Sequence, residues 1–196
     1  MKSFLSVYLL LFLAPVLYAQ EFTDNIATAR SAYAKGSLEE AHFALQQSLM
    51  QLDIIAGKEI LKLLPAKMED LAQVTKDDNV TGNTGFLGAT VHRQYGESDS
   101  SMITIDVVTN SPLLTSLNAF MTNPMLAALG GNGNTKVVKI QGYKSRITKE
   151  EKSQEGQVAY RIEIPFSSAL ITLTINNNAD EKRAIAMANT LPLPAI

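Results

Sequence analysis

Apolar and polar residues follow two different periods along this 196-residue chain, and the change falls near Pro65. Upstream of it the spacing is helical. Thr23 and Asp24 are placed to cap a short helix through Ile26, Ala29 and Tyr33, and Gly36 stops it. Ser37-Leu38-Glu39-Glu40 then reads as a capping box, in which the serine hydroxyl accepts from the Glu40 amide and the Glu40 side chain returns to the Ser37 amide. Apolar residues follow at Leu38, Ala41, Leu45, Leu49, Leu52, Ala56, Ile60 and Leu63, spaced by 3, 4, 4, 3, 4, 4 and 3. That rhythm predicts one long helix. Pro65 ends it, because the residue before a proline avoids the helical region.

Downstream the period drops to two. Leu87, Ala89, Val91, Arg93 and Tyr95 share one side of a strand, and Ile103, Ile105 and Val107 alternate with Thr104, Asp106 and Val108 across a hairpin-sized turn at Gly96 to Ser100. Val138 and Ile140 alternate next, and Gly142 separates them from Tyr143 to Ile147. Val158, Tyr160, Ile162 and Ile164 oppose Ala159, Arg161 and Glu163, while Ala169, Ile171, Leu173 and Ile175 oppose Leu170, Thr172 and Thr174. Alternation of this kind marks an antiparallel sheet with one buried and one wetter face. The polar stretches Lys76 to Gly85 and Lys149 to Gln157 read as loops, and Asp180 to Asn189 as a closing helix with Ile185 and Met187 among its apolar members. The pattern predicts an α+β chain: a helical hairpin over residues 20–64, then over residues 65–196 an antiparallel sheet of about five to six strands flanked by helices.

No charged residue occurs between Asp106 and Lys136. Ser111-Pro112 and Asn123-Pro124 repeat one device, a capping side chain followed by proline at the first helical position. They predict two consecutive helices, 112–122 and 124–129, before a glycine-rich stop at Gly130 to Asn134. The apolar face holds Leu113, Leu117, Phe120 and Met121 and continues through Met125, Leu126 and Leu129. Such helices either sit between layers or offer apolar surface to a partner or ligand. Leu117, Phe120, Met121 and Met125 are therefore the candidate contact residues. The long helix poses the same choice: its stripe packs on its own domain, or it forms a seam for a partner or a second copy.

The first residues change the picture of where the chain goes. Lys2 precedes an apolar run from Phe4 to Ala14, Pro15 closes it, and Ala19 stands before Gln20 as a cleavage position. Residues 1–19 thus read as a secretory signal, too short to span a bilayer, and the mature chain is expected in the periplasm or secreted. Loss of Lys2 leaves 16 basic residues against 19 acidic, a mildly acidic balance that argues against a nucleic-acid partner.

Candidate chemistry is sparse. The chain has no cysteine, which excludes disulfides, thiol catalysis, cysteine metal sites and a lipobox anchor. His42 and His92 do not make a close metal-ligand pair. Asp77, Asp78 and Asn79 do not match the spacing of a calcium loop. Gly130-Gly131-Asn132-Gly133 follows a predicted helix and lacks the lysine and hydroxyl residue of a phosphate loop, and Gly-x-Ser-x-Gly does not occur. Asp99, Asp106 and Glu163 would serve as acid and base only if the fold brought two of them together. Asn79-Val80-Thr81 fits a glycan acceptor pattern, relevant only in a cell that glycosylates it.

Tyr33 to Ala41 resembles the turn of a tetratricopeptide repeat, in a single copy. A wider succession runs from Ile60-Leu61-Lys62-Leu63-Leu64-Pro65 through Arg93-Gln94-Tyr95, Asn110-Ser111-Pro112-Leu113-Leu114 and Asn123-Pro124-Met125 to Val138-Lys139-Ile140-Gln141-Gly142-Tyr143-Lys144. It resembles a group of small exported bacterial proteins similar at the fold level to the PsbP-like α/β sandwich. The resemblance covers about residues 64–193 and brings no catalytic residues with it. It implies binding or assembly rather than catalysis. The expectation is an exported, non-enzymatic envelope protein without a cofactor, docking a protein partner and open to self-association. The alternative is a carrier with an apolar ligand or lipid lodged between the central helices and the sheet.

Overall fold

The computed structural model describes residues 14–85, 87–98, 101–123, 133–151, 158–176 and 180–195. Two helices open it, α1 (Ala14–Ala34) and α2 (Leu38–Leu63). The short strands β1 (Lys67–Met68) and β2 (Leu71–Ala72) and a 3-10 turn at Thr75–Asp77 lead into β3 (Asn79–Thr81), β4 (Thr90–Tyr95) and β5 (Ile103–Thr109). Helix α3 (Leu113–Thr122) crosses to β6 (Thr135–Ile140), β7 (Tyr143–Glu151), β8 (Val158–Phe166) and β9 (Ala169–Ile175), and α4 (Glu181–Ala188) with a 3-10 turn at Leu193–Ala195 closes the chain. Seven strands form one antiparallel sheet in the order β3-β4-β5-β9-β8-β7-β6, and β1 and β2 pair separately. The α+β architecture with an N-terminal hairpin stands, with more strands than the alternation predicted.

The extra strands lie where alternation has no room to register. β3 is three residues long and occupies part of the stretch read as a loop. β7 runs on to Glu151, into the other stretch read as a loop, where Glu150 is bridged to Arg161 of β8 at 2.9 Å. Charged residues on the solvent face of a strand look like loop when read singly.

Two helix starts differ from expectation. Thr23 and Asp24 lie inside α1, and Thr28 Oγ1 donates to Asp24 O at 2.9 Å. No glycine or proline follows Pro15 before Gly36, so nothing starts the helix afresh at Thr23. The capping box at Ser37 does not form either, although Ser37 occupies the N-cap position. Gly36, at φ +76°, ends α1 in a Schellman arrangement in which Ser37 N–H donates to Ala32 O and Gly36 N–H to Tyr33 O. The Ser37 amide that Glu40 was to satisfy is thereby already used.

α3 begins at Leu113, with Pro112 rather than Ser111 at the cap and no side-chain capping bond. The second uncharged helix predicted over 124–129, with Met125, lies outside the described residues. Asp180 caps α4 as its position suggests, accepting from Arg183 N–H at 2.7 Å.

The core sits on the face of the sheet that the alternation picked out. Val91, Tyr95, Ile103, Ile105, Val107, Ile162, Ile164, Ile171, Leu173 and Ile175 are buried there under Ala184, Met187, Ala188, Leu191 and Leu193. The opposite face is mostly polar, and α3 lays Leu117 and Met121 on Leu170 there.

Candidate protein-docking surface

Helix α2 is held by small residues and exposes large ones. Its N-terminal half buries Ala41, Ala44 and Ser48, and α1 buries Ala29 and Ala32. Short side chains let two helix axes approach closely. Its C-terminal half meets the sheet at Gly57, where a Cβ would lie 2.6 Å from Val80 Cγ1 and 3.2 Å from Ala89 Cβ. Both contacts leave the same side of the helix open. Leu38, Leu45, Leu49, Leu52 and Leu63 are 64, 48, 61, 48 and 42% exposed, values that place them on a surface rather than in a core.

With these leucines, His42, Ala56 and Glu59 are also exposed. The eight positions 38, 42, 45, 49, 52, 56, 59 and 63 step alternately by four and three. That is the spacing of a coiled-coil seam, carried over more than three heptads. Tyr33 on α1 is exposed beside it, and an open groove lined by Ile26, Ala29, Arg30, Tyr33, Ala41 and Leu45 runs between the two helices. On the other flank Gln46, Leu49 and Asp53 border Asn83, Thr84, Gly85, Leu87 and Gly88, and burial raises the Asp53 carboxyl above its ordinary range.

The end of α2 is fixed to the sheet. Arg93 of β4 donates through Nε and Nη2 to both carboxylate oxygens of Asp78 at 2.9 and 2.7 Å, and through Nη1 to Leu64 O at 3.1 Å. Tyr95 donates to Pro65 O at 2.8 Å. The Asp78 hydrogen bonds hold the Arg93 guanidinium above its ordinary pKa, and burial pushes the Tyr95 phenol up to about 12. The turn that aims the leucine face is therefore tied by buried polar bonds, and Asp78 is Arg93's partner.

The ionisable groups singled out from the sequence form a row across the polar face of the sheet. His92 stands opposite Asp106, Asp106 opposite Thr172, Thr172 opposite Glu163, and Glu163 opposite Arg146. Asp106 and Glu163 thus share a face but lie two strands apart, roughly 10 Å at the usual strand spacing. Each faces its own base: His92 Nδ1 is 2.6 Å from Asp106 Oδ1, and Arg146 Nη2 donates to Glu163 Oε1 at 2.7 Å. Asp106 and Glu163 are therefore not paired with each other. Asp99 lies outside the described residues. Among the described residues no group of three or more histidine, cysteine or carboxylate side chains is placed to hold a metal ion.

Of the four expected contact residues, Leu117 and Met121 are buried against Leu170, with Leu114 and Phe120 packed beside them. The ring of Phe120 lies 5.4 Å from the Arg146 guanidinium carbon. Met125 falls outside the described residues. Between α3 and the sheet, where an apolar ligand was expected to lodge, the described side chains pack on one another. Among the described residues most of the exposed large apolar side chains lie instead on α2, with Leu113 of α3 also exposed. Helix α2 and its leucines were legible, whereas their outward orientation and the Arg93–Asp78 clamp were not.

No helix among the described residues is long and apolar enough to cross a membrane. No family model matches this chain, and no curated protein matches it. A solved crystal structure from Bacteroides thetaiotaomicron VPI-5482 is similar at 14% identity, with a TM-score of 0.34, over 58% of this chain and 41% of that one. The match thus spans less than half of that protein's length, and a likeness of this degree carries no argument about function.

Proposed function

We propose that the protein is an exported, non-enzymatic module that docks a protein partner on the open face of α2. One observation carries the reading: five leucines at seam spacing stand exposed on a helix that is anchored at both ends. A contiguous apolar patch on a folded surface marks a contact site. Export rests on the N-terminal residues, and the similarity to exported PsbP-like proteins belongs to the same proposal.

A photo-crosslinking residue placed at Leu49 in cells making the full-length chain tests it. An adduct should form at Leu49 and not at Lys182, an exposed position on α4. Failure to trap any protein through Leu49 sinks the docking reading. N-terminal sequencing of the purified chain tests export, with Gln20 expected first.

A further inference from the structure

We infer that the partner is a second copy of this chain, α2 against α2, antiparallel, about a two-fold axis between Met50 and Gln51. The inference rests on the docking reading and names its occupant. Around that axis the seam residues meet in the layers Leu38 with Leu63, His42 with Glu59, Leu45 with Ala56, and Leu49 with Leu52, each occurring twice by symmetry.

Charge selects this arrangement. His42 and Glu59 are the two polar residues among the eight seam positions. In the antiparallel register each faces the other, so that the imidazole can donate a hydrogen bond to the Glu59 carboxylate, which also accepts from Lys62 at 2.7 Å within its own helix. A parallel pair would set Glu59 against Glu59, and like charges at a seam are repulsive. The helix ends agree. Glu39 and Glu40 lie in the first turn of α2 and Lys62 in the last. Antiparallel packing brings the acidic end of one copy toward the basic end of the other and opposes the two helix dipoles.

Size agrees as well. Leu45 meets the small Ala56, and Leu49 meets Leu52 at the centre. The five leucines and Tyr33 present roughly 600 Å² of side chain per copy, so a pair covers on the order of 1,200 Å², the lower edge for a stable specific interface.

Sedimentation equilibrium and directed crosslinking test the inference on protein purified from cells making the full-length chain. The chain should be a dimer at micromolar concentration, and the Leu49→Asp/Leu52→Asp variant a folded monomer by circular dichroism. Because the native chain lacks cysteine, single Leu38→Cys and Leu63→Cys variants report register without background. Oxidation should link a mixture of the two variants and neither variant alone. His42→Glu should weaken dimerisation about tenfold or more, and His42→Glu/Glu59→His should restore it. A monomer at every concentration, or crosslinks within each single variant, overturns the inference. If the chain is monomeric while the Leu49 crosslinker traps a different protein, the second copy is wrong and the docking reading stands. If neither occurs, both are wrong.

Discussion

Arg93 grips both oxygens of Asp78 and, with its third nitrogen, the carbonyl of Leu64. One side chain therefore closes the junction where the long helix gives way to the sheet. Arg93 is 6% exposed and sits on the core side of β4, where a charge survives only if fully paired.

Removing that charge should be costly. Arg93→Ala leaves Asp78 without its partner and the Leu64 carbonyl without its donor. We expect a loss of about 3–5 kcal/mol of unfolding free energy, the usual cost of breaking a buried pair. Urea denaturation checks it, and a loss under 1 kcal/mol would contradict the clamp.

Alkaline pH should loosen the same junction through Tyr95. Burial raises its folded-state pKa to about 12 from an ordinary 10. Between those values the unfolded chain has released the phenolic proton and the folded chain retains it. The unfolded state then binds fewer protons, so stability falls as pH rises. The contribution is fully present below pH 10 and gone above about 12, a loss on the order of 1–3 kcal/mol. Tyr95→Phe should remove that slope, at about 1 kcal/mol for the bond to Pro65 O. Denaturant titrations of both proteins from pH 9 to 12 make the comparison.

Gly57 offers a test of sign. Replacing a mid-helix glycine by alanine ordinarily stabilises by about 1 kcal/mol. Here the added methyl would meet Val80 Cγ1 at 2.6 Å, with Ala89 Cβ and Val91 Cγ2 close behind. Overpacking typically costs about 1–3 kcal/mol, so Gly57→Ala should destabilise the protein. A raised melting temperature would show that α2 does not press on β3 and β4 as described.

Leucines on two helices should respond in opposite ways. Leu117 of α3 is 2% exposed, and Leu117→Ala should cost about 2–5 kcal/mol. Leu49 of α2 is exposed, and Leu49→Ser should change the stability of the monomer by no more than about 0.5 kcal/mol. Thermal melts at a dilution where self-association is negligible separate the two.

How much of this was legible varies by element. On β5 and β9 the inward residues could be named from alternation alone, because a pleated strand sends neighbours to opposite faces whatever lies around it. β3 has too few residues to show a period, and the solvent-side charges of β7 disguise its far end. The row from His92 to Arg146 draws on five strands, and only their register sets those side chains abreast. The Ser37 box failed for a local reason: the preceding helix had already taken the amide it required.

α2 marks the division most clearly. Its period, its proline stop and its leucine stripe lie in the chain itself, since each depends on residues within a few positions of one another. Which side turns inward does not, because the helix also carries Ala41, Ala44, Ser48 and Gly57. α1 approaches at Ala41, Ala44 and Ser48, β3 and β4 approach at Gly57 on nearly the opposite side, and the leucines between these two contacts are left facing out. Orientation of this kind is a contest between alternative faces, and distant segments decide it when they arrive.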